Sequence, residues 1–214
     1  MKRLILAMTL MALTLSGAQA QSGLISAKKI YTKKADMSAY AAKGAVPEVN
    51  GKIVFTRQIE APGKSKEELY RVLASFTALR FEANATRGEW REPNFFRNIE
   101  YAQVKEADKG AGRIVAQGAE EMIFSNKALA KDYTHVYYRF TAACQDGKID
   151  LTVDNIAYVY VGSQDTERIP AEQWITDAEA LNKKGQLRRI SGKFRVKTID
   201  LANELADEIE QMVK

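Results

Sequence analysis

Few residues of this 214-residue chain have the types and spacing that catalysis requires. Gly63-Lys64-Ser65 imitates the end of a phosphate-binding loop, but the full loop also needs a glycine five residues before Gly63. Position 58 is Gln58, so the backbone cradle that would wrap the phosphates is incomplete. We therefore expect an ordinary turn here, followed by the start of a helix.

Nucleophilic and metal sites need partners that the sequence does not supply. His135 is the one histidine, which excludes a histidine-rich metal cluster. Glu120-Glu121, and Asp150 with Asp154, could act as general acid and base. Adjacent strand residues point to opposite faces, however, and charges near a hairpin are usually solvated. The sequence predicts no catalytic residue, no metal ligand and no cofactor, while a hydrolase that acts on envelope material through these carboxylates remains the alternative.

Aromatic residues interleaved with arginines follow the first predicted helix. A loop of this kind beside a sheet either plugs the open end of the sheet or roofs a ligand pocket, because pockets are largely apolar with a few polar groups. The candidate ligand-binding residues, which include two tyrosines from the predicted strands, are Trp90, Phe95, Phe96, Tyr138 and Tyr158.

Seven cations lie between positions 183 and 197 without an acid among them. They could meet an anionic partner such as a glycan, a lipopolysaccharide phosphate or a phospholipid surface. A solvated turn between two helices explains the same pattern. The candidates for contact with an anionic partner are Lys183, Lys184, Arg188, Arg189 and Lys193.

The amino-terminal residues predict export. Lys2 and Arg3 precede an apolar run over 4–15 that is broken only by two threonines, and Ala18-Gln19-Ala20 fits a signal peptidase site. The run is too short to span the roughly 30 Å hydrocarbon core of a bilayer. We expect cleavage after Ala20, a periplasmic or secreted product, and no transmembrane segment afterwards. Loss of Lys2 and Arg3 lowers the net charge of +5 by two, which leaves little positive charge for binding nucleic acid.

Hydrophobic periodicity outlines the elements that would position these residues. Residues 21–43 carry many lysines and few large apolar side chains, so we expect a flexible lead-in before a single domain over 44–214. A strand over 52–59 precedes a helix that begins at the capping box of Ser65 and Glu68. The apolar stripe expected on this helix is Leu69, Val72, Leu73, Phe76 and Leu79.

Four strands are expected next, at 97–106, 113–124, 133–145 and 148–161. Asp146-Gly147 predicts a tight hairpin, and a change of side-chain phase at Asp154-Asn155 requires a bulge. Cys144 alternates with apolar residues and should be buried. A short helix over 171–184 and a longer final helix complete the chain, and we expect the acids of the final helix to face away from its stripe. That stripe is Ile199, Ala202, Leu205, Ile209 and Met212.

This order predicts an α+β fold with an antiparallel sheet of about five strands in the order β-α-β4-α. Because consecutive strands are segregated from the helices, the helices should pack on one face of the sheet.

Three stretches of the chain resemble one known family. They run from Gly44 to Phe55, from Ala61 to Tyr70 and from Ser191 to Asp200. The chain is similar there to DUF4468, a family of uncharacterised exported proteins from Bacteroidetes. The resemblance implies a TBP-like fold, which describes backbone topology and transfers no DNA binding. It implies no established activity and no catalytic residues.

The absence of a catalytic constellation, together with the export signal, favours a non-enzymatic binding or interaction module. Its partner would be an apolar small molecule or an envelope component. A structural component of the envelope is a further alternative.

Overall fold

The computed structural model describes residues 37–82, 86–87, 96–98, 101–127, 130–160 and 167–214. The predicted signal peptide and the first part of the lead-in lie outside these residues. The first described element is helix α1, Met37–Ala41. Its Tyr40 hydroxyl donates to Asp200 at 2.6 Å, and its Tyr40 carbonyl accepts from Arg195 at 2.6 Å. Residues before the expected boundary at 44 are therefore already packed on the domain.

One antiparallel sheet forms the centre of the molecule. Its strands are β1 (Glu48–Val49), β2 (Lys52–Glu60), β3 (Thr86–Arg87), β4 (Phe96–Asn98), β5 (Gln103–Asp108), β6 (Arg113–Lys127), β7 (Ala130–Gln145), β8 (Lys148–Tyr160) and β9 (Ile169–Pro170). The main path through the sheet runs β1-β2-β8-β7-β6-β4-β3, while β5 also pairs with β6 and β9 with β8. Four of the five predicted strands are therefore observed as the long strands β2, β6, β7 and β8, and shorter strands accompany them.

Two long helices cover one face of this sheet, which confirms the predicted α+β architecture. Helix α2, Lys66–Arg80, begins after Ser65, whose side chain accepts from the Glu68 backbone N–H while the Glu68 carboxylate accepts from the Ser65 N–H. Helix α4, Ser191–Val213, closes the chain. Leu73 and Leu205, one from each helix, are buried in the same core cluster as the inward-facing strand residues.

The stripe on α2 is rotated from the predicted one at its end. Leu69, Leu73 and Phe76 are buried as expected, but Leu79 is 71% exposed and Arg80 takes the inward position. The helical period explains this, because positions 69, 73, 76 and 80 lie on one face. A charged residue therefore occupies the core side of the helix.

The stripe on α4 also differs from the prediction. Leu205 and Ile209 are buried, but Met212 is 44% exposed, and Ile199 and Ala202 are only half-buried. The inward face instead continues through Phe194, Thr198, Leu201, Ala206 and Val213. Of the acids expected to face away from the stripe, Asp207 is exposed, whereas the others are half-buried, namely Asp200, Glu204, Glu208 and Glu210.

The hairpin and the bulge are confirmed. Gln145 pairs with Lys148 across a two-residue turn in which Gly147 has φ +79°. In the β7–β8 register, Tyr137 pairs with Ala157 and Arg139 with Asp154, so β8 carries one extra residue. Asn155 sits there with φ +50°.

The single strand predicted at 97–106 is two strands. β4 pairs with β6 at 120–122, and β5 pairs with β6 at 113–117. Between them Ala102 is buried against Ala119 and Tyr137 on the sheet face away from the helices. Ala102 thus packs on this face and belongs to neither β4 nor β5, the two strands that pair with β6.

The prediction of a single helix over 171–184 is wrong. A 3-10 helix, Ala171–Gln173, is followed by the single-turn helix α3, Asp177–Ala180, which Thr176 caps by accepting from the Glu179 N–H. Leu181 then pairs with Leu187, and the Asn182 side chain accepts from the backbone N–H groups of 184 and 186. These local hydrogen bonds compete with helix continuation.

Candidate functional site

A cleft opens on the sheet face away from α2 and α4, at the bulge in β8. We call it the bulge cleft, and its volume is about 250 Å³. The extra residue in β8 turns Asn155 outward, and bulges commonly re-aim side chains beside functional sites. The short strand β9 and the 3-10 helix after it form the rim. The residues that define the bulge cleft are Lys52, Gln117, Tyr137, Asn155, Arg168 and Glu172.

The aromatic floor of the bulge cleft is Tyr137, with a guanidinium above it. The Arg168 Cζ lies 4.0 Å from the centre of the Tyr137 ring, which is a cation–π contact. Tyr137 is 7% exposed, and burial raises the pKa of its hydroxyl. Tyr137 therefore stays neutral and serves as an apolar surface rather than as an acid.

The polar groups around this floor are positioned by backbone contacts. The Gln117 amide donates to the carbonyls of Gly118 and Tyr138, at 3.0 and 3.2 Å. Glu172 accepts from the Ile53 N–H at 3.1 Å, which joins the rim to β2. Lys52 and Arg168 are exposed cations on the same cleft. Two cations beside an aromatic ring suit a small ligand that carries an anionic group on a planar or apolar body.

A second cluster of charges lies between α2, α4 and the sheet, with two buried members and two partly exposed ones. We call Arg80, Glu120, Glu204 and Glu208 the Arg80 cluster. One guanidinium nitrogen of Arg80 lies 3.4 Å from a Glu120 oxygen and 3.4 Å from a Glu204 oxygen, and another lies 3.6 Å from a Glu208 oxygen. The Arg80 and Glu120 side chains are 1% and 0% exposed. The Tyr138 hydroxyl donates to Glu120 from the neighbouring strand.

Burial sets the titration of the Arg80 cluster. It raises the pKa of Glu204 to about 8, while the positive charge of Arg80 opposes the rise. The pKa values of Glu120 and Glu208 are raised for the same reason, again against the charge of Arg80. Burial also raises the pKa of Tyr138 well above its ordinary value.

The structure describes the side chains of only two of the five predicted aromatic candidates, Tyr138 and Tyr158. Trp90 and Phe95 lie outside the described residues, and Phe96 is described only by its backbone, which pairs with Arg87 and Met122. The other two candidates are core residues under the helices.

Tyr138 and Tyr158 are 0% and 1% exposed. Tyr138 donates to Glu120, and the Tyr158 hydroxyl lies 2.6 Å from the Thr198 hydroxyl on α4. Each ring therefore packs between layers and has its polar end satisfied. Neither lines an open cavity.

The basic candidates divide into two kinds. Lys193 pairs with Asp132 at 2.6 Å, and the Arg188 guanidinium donates to the carbonyls of 181 and 178. Lys183, Lys184 and Arg189 are exposed on the loop before α4. Two further cations of the run are buried, namely Arg195 and Lys197.

The carboxylates considered for acid and base chemistry have other partners. Asp154 forms a two-point contact with Arg139 at 2.6 and 2.7 Å, and Asp150 accepts from Gln58 at 2.6 Å. They are four residues apart on β8, roughly 13 Å along an extended strand, which is too far for a shared acid and base step. Glu120 and Glu121, which are adjacent on β6, are both buried, at 0% and 4% exposure.

His135 and Cys144 take structural positions. His135 is half-buried and its ring lies 6.0 Å from the Tyr133 ring on the same strand. Cys144 is a free, buried thiol, as predicted, and its Sγ donates to the Gly112 carbonyl at 3.2 Å. Burial raises the pKa of this thiol, which keeps it protonated.

Sequence reasoning missed the Arg80 cluster and most of the bulge cleft. The helical period was a usable signal for Arg80, since it follows Leu69, Leu73 and Phe76 on one face. Lys52 and Arg168 gave no comparable signal, because their meeting depends on the bulge and on the return of β9 to β8.

Within the described ranges, no set of three or more His, Cys, Asp or Glu side chains is grouped to hold a metal ion. None of the helices described has both the length and the apolar character needed to cross a bilayer.

Comparison with known proteins gives a family and two solved relatives. The family model for a domain of unknown function (DUF4468) with TBP-like fold matches residues 55–159. A crystal structure of a DUF4468 family protein from Bacteroides ovatus is 32% identical and superposes with a TM-score of 0.68, covering 84% of this chain and 96% of that one. A TBP-like protein from Parabacteroides distasonis shares the fold at 18% identity, with a TM-score of 0.58 over 78% of this chain and 96% of its own.

No protein of curated function matches the chain. The identity to the Bacteroides ovatus protein extends over nearly all of that structure. Together with the family model and the observed topology, this match shows that the chain belongs to the DUF4468 family, whose domain has a TBP-like fold.

Proposed function

We propose that this chain is an exported, non-enzymatic binding module that takes a small anionic ligand in the bulge cleft. The observation that carries the proposal is the stacking of Arg168 on Tyr137 in a cleft that also presents Lys52. Such an arrangement offers positive charge beside an aromatic ring. The signal-like pattern over 1–20 supports export.

The space between the sheet and the helices supports an apolar ligand less well. A crevice between β2, β8 and α4 has a volume of only about 60 Å³, whereas small-molecule sites usually measure about 300–1,000 Å³. Tyr138, Tyr158 and Phe140 fill this layer. The bulge cleft, at about 250 Å³, is open enough for a ligand of a few heavy atoms with one charged end.

Titration of 15N-labelled protein with benzoate, phenyl phosphate and benzamide tests the proposal. Benzoate and benzamide differ mainly in charge, so the expected result is saturable shifts at Gln117, Asn155 and their neighbours with the two anions and none with benzamide. Binding should weaken about tenfold or more in Arg168→Gln, because a charge-assisted contact contributes about 1.5–3 kcal/mol.

Lys184→Gln is the matched control, since Lys184 is an exposed cation outside the cleft. It should bind the anions as the wild type does. The proposal fails if none of the anions gives saturable shifts, or if Arg168→Gln and Lys184→Gln behave alike.

A second candidate partner is an anionic envelope surface that meets the loop before α4. Lys183, Lys184 and Arg189 are exposed there, and Asn182 fixes the loop by accepting two backbone N–H groups. Sedimentation with vesicles of anionic or zwitterionic lipid, at low and high salt, tests this candidate. Binding should require the anionic lipid, fall with salt and be lost in Lys183→Gln/Lys184→Gln.

A further inference from the structure

The bulge cleft lies beside a gap along one edge of β8. Strand β2 pairs with β8 as far as Asp154, and β9 begins its pairing with β8 at Ala157. Residues 155–156, between these two pairings, belong to the bulge and line the cleft. Segments that are distant in the chain therefore meet around this gap.

The gap is lined by one carboxylate and two cations. Glu172 lies on the 3-10 helix after β9, and one of its oxygens accepts from the Ile53 N–H at 3.1 Å. Lys52 precedes Ile53 in the chain, and Arg168 precedes β9. Among the described residues, Glu172 forms no ion pair with Lys52 or Arg168. The cleft therefore presents positive and negative charge at separate points.

Aromatic rings hold one of the two cations. The Arg168 Cζ lies 4.0 Å from the centre of the Tyr137 ring and 5.9 Å from the centre of the Tyr101 ring. The two ring centres are 6.1 Å apart, and Tyr101 is 52% exposed. These rings position the guanidinium and leave aromatic surface beside it for the apolar body of a ligand.

We propose that the bulge cleft binds a small zwitterion, whose anionic group contacts Arg168 and Lys52 and whose ammonium group contacts Glu172. This inference rests on the proposed function, because it assigns the anionic group of the ligand to the same two cations. A ligand that is only anionic is repelled by the Glu172 carboxylate, whereas an ammonium group gains a charge-assisted hydrogen bond there. The ligand class is thus an aminocarboxylate with an aromatic or apolar body.

Titration of 15N-labelled protein with para-(aminomethyl)benzoate and para-methylbenzoate tests the proposal. The two probes share the ring and the carboxylate, but only the first carries an ammonium group at neutral pH. We expect the aminomethyl probe to bind about tenfold more tightly, because a charge-assisted hydrogen bond favours it. The meta isomers of both probes test a shorter separation between the two charges.

Glu172→Gln separates contact with the ligand from a purely structural role. The glutamine side-chain oxygen can still accept from the Ile53 N–H, so we expect the rim of the cleft to keep its position. The variant should bind the preferred aminomethyl isomer about tenfold more weakly than the wild type does. It should bind the matching methylbenzoate as tightly as the wild type does or more tightly, since the repulsion is removed. A purely structural role would change both affinities in the same direction.

Glu179→Gln is the matched control, since Glu179 is an exposed glutamate on α3 and lies outside the cleft. It should bind all four probes as the wild type does.

Three results would overturn the zwitterion proposal alone, provided that benzoate still gives saturable shifts. One is that neither aminomethyl isomer binds more tightly than its methyl counterpart. Another is that Glu172→Gln changes the affinities for the zwitterion and the anion in the same direction, and the third is that Glu179→Gln behaves like Glu172→Gln. If no probe, benzoate included, gives saturable shifts, the proposed function fails together with this inference.

Discussion

Replacing Arg80 by methionine should lower the free energy of unfolding by about 3–5 kcal/mol. That range applies when one partner of a buried ion pair is removed and its counter-charges stay in the interior. Arg80 qualifies because its side chain is 1% exposed and faces three carboxyl groups within 3.6 Å. Methionine keeps a long, flexible apolar side chain, so the loss reports charge more than packing.

Arg57→Met provides the matched comparison. Arg57 pairs with Asp207 at 3.4 Å, which is the distance between Arg80 and Glu120. The side chains of Arg57 and Asp207, however, are both about half exposed. An exposed pair contributes about 0–1 kcal/mol, so Arg57→Met should scarcely change the stability. The contrast between the variants isolates burial as the cause.

Urea unfolding followed by circular dichroism measures both variants at about pH 5 and pH 8. The loss in Arg80→Met should be smaller at the lower pH, because the carboxyl groups then take up protons and need the guanidinium less. A loss below about 1 kcal/mol at pH 8, or equal losses in Arg80→Met and Arg57→Met, would refute the reasoning.

Two further substitutions test the core. Leu73→Asp should prevent stable folding, since it places a charge at a fully buried position. Leu79→Asp should change the stability little, because Leu79 is 71% exposed. Thermal melting followed by circular dichroism compares the two variants, and equal melting temperatures would contradict the burial pattern. Gly118→Ala should cost about 1–3 kcal/mol, because a Cβ at 118 would overlap the Tyr138 ring that packs on this glycine; an unchanged urea midpoint would contradict that packing.

Local signals predicted the parts of the fold that short-range physics controls. The capping box of Ser65 and Glu68 marks the start of α2, Asp146-Gly147 marks the hairpin, and the phase change at Asp154-Asn155 marks the bulge. Each depends on hydrogen bonds or side-chain alternation within a few residues. The α+β class follows from the order of these elements.

The helix predicted over 171–184 fails for an equally local reason. Thr176 and Glu179 form an N-terminal capping signal within that range, which indicates that a new helix begins at 177. Apolar spacing alone did not reveal this restart. Asn182 and Gly185 then form a turn in which Gly185 has φ +71°.

The candidate sites depend on long-range packing, of which the spacing along the chain reveals only the inward position of Arg80. The helical pattern predicts that Glu204 and Glu208 face solvent. In the structure, the packing of α2 against α4 places Arg80 opposite them. Tyr138 and Tyr158 alternate as ligand-facing aromatics would, yet the same alternation buries them under the helices. The bulge cleft needed three separate segments to meet.

Arg195 joins helix α1, at the beginning of the described residues, to helix α4, at the end of the chain. Its guanidinium is 0% exposed and donates to the carbonyls of Tyr40, Ala42 and Ile175 at 2.6–3.0 Å, with Asp177 2.7 Å away. An expression fragment that starts at residue 44 would remove two of the three carbonyl groups to which this guanidinium donates. We therefore expect a stable fragment of the protein to include the turn of helix at 37–41, although all strands of the described residues follow it in the chain.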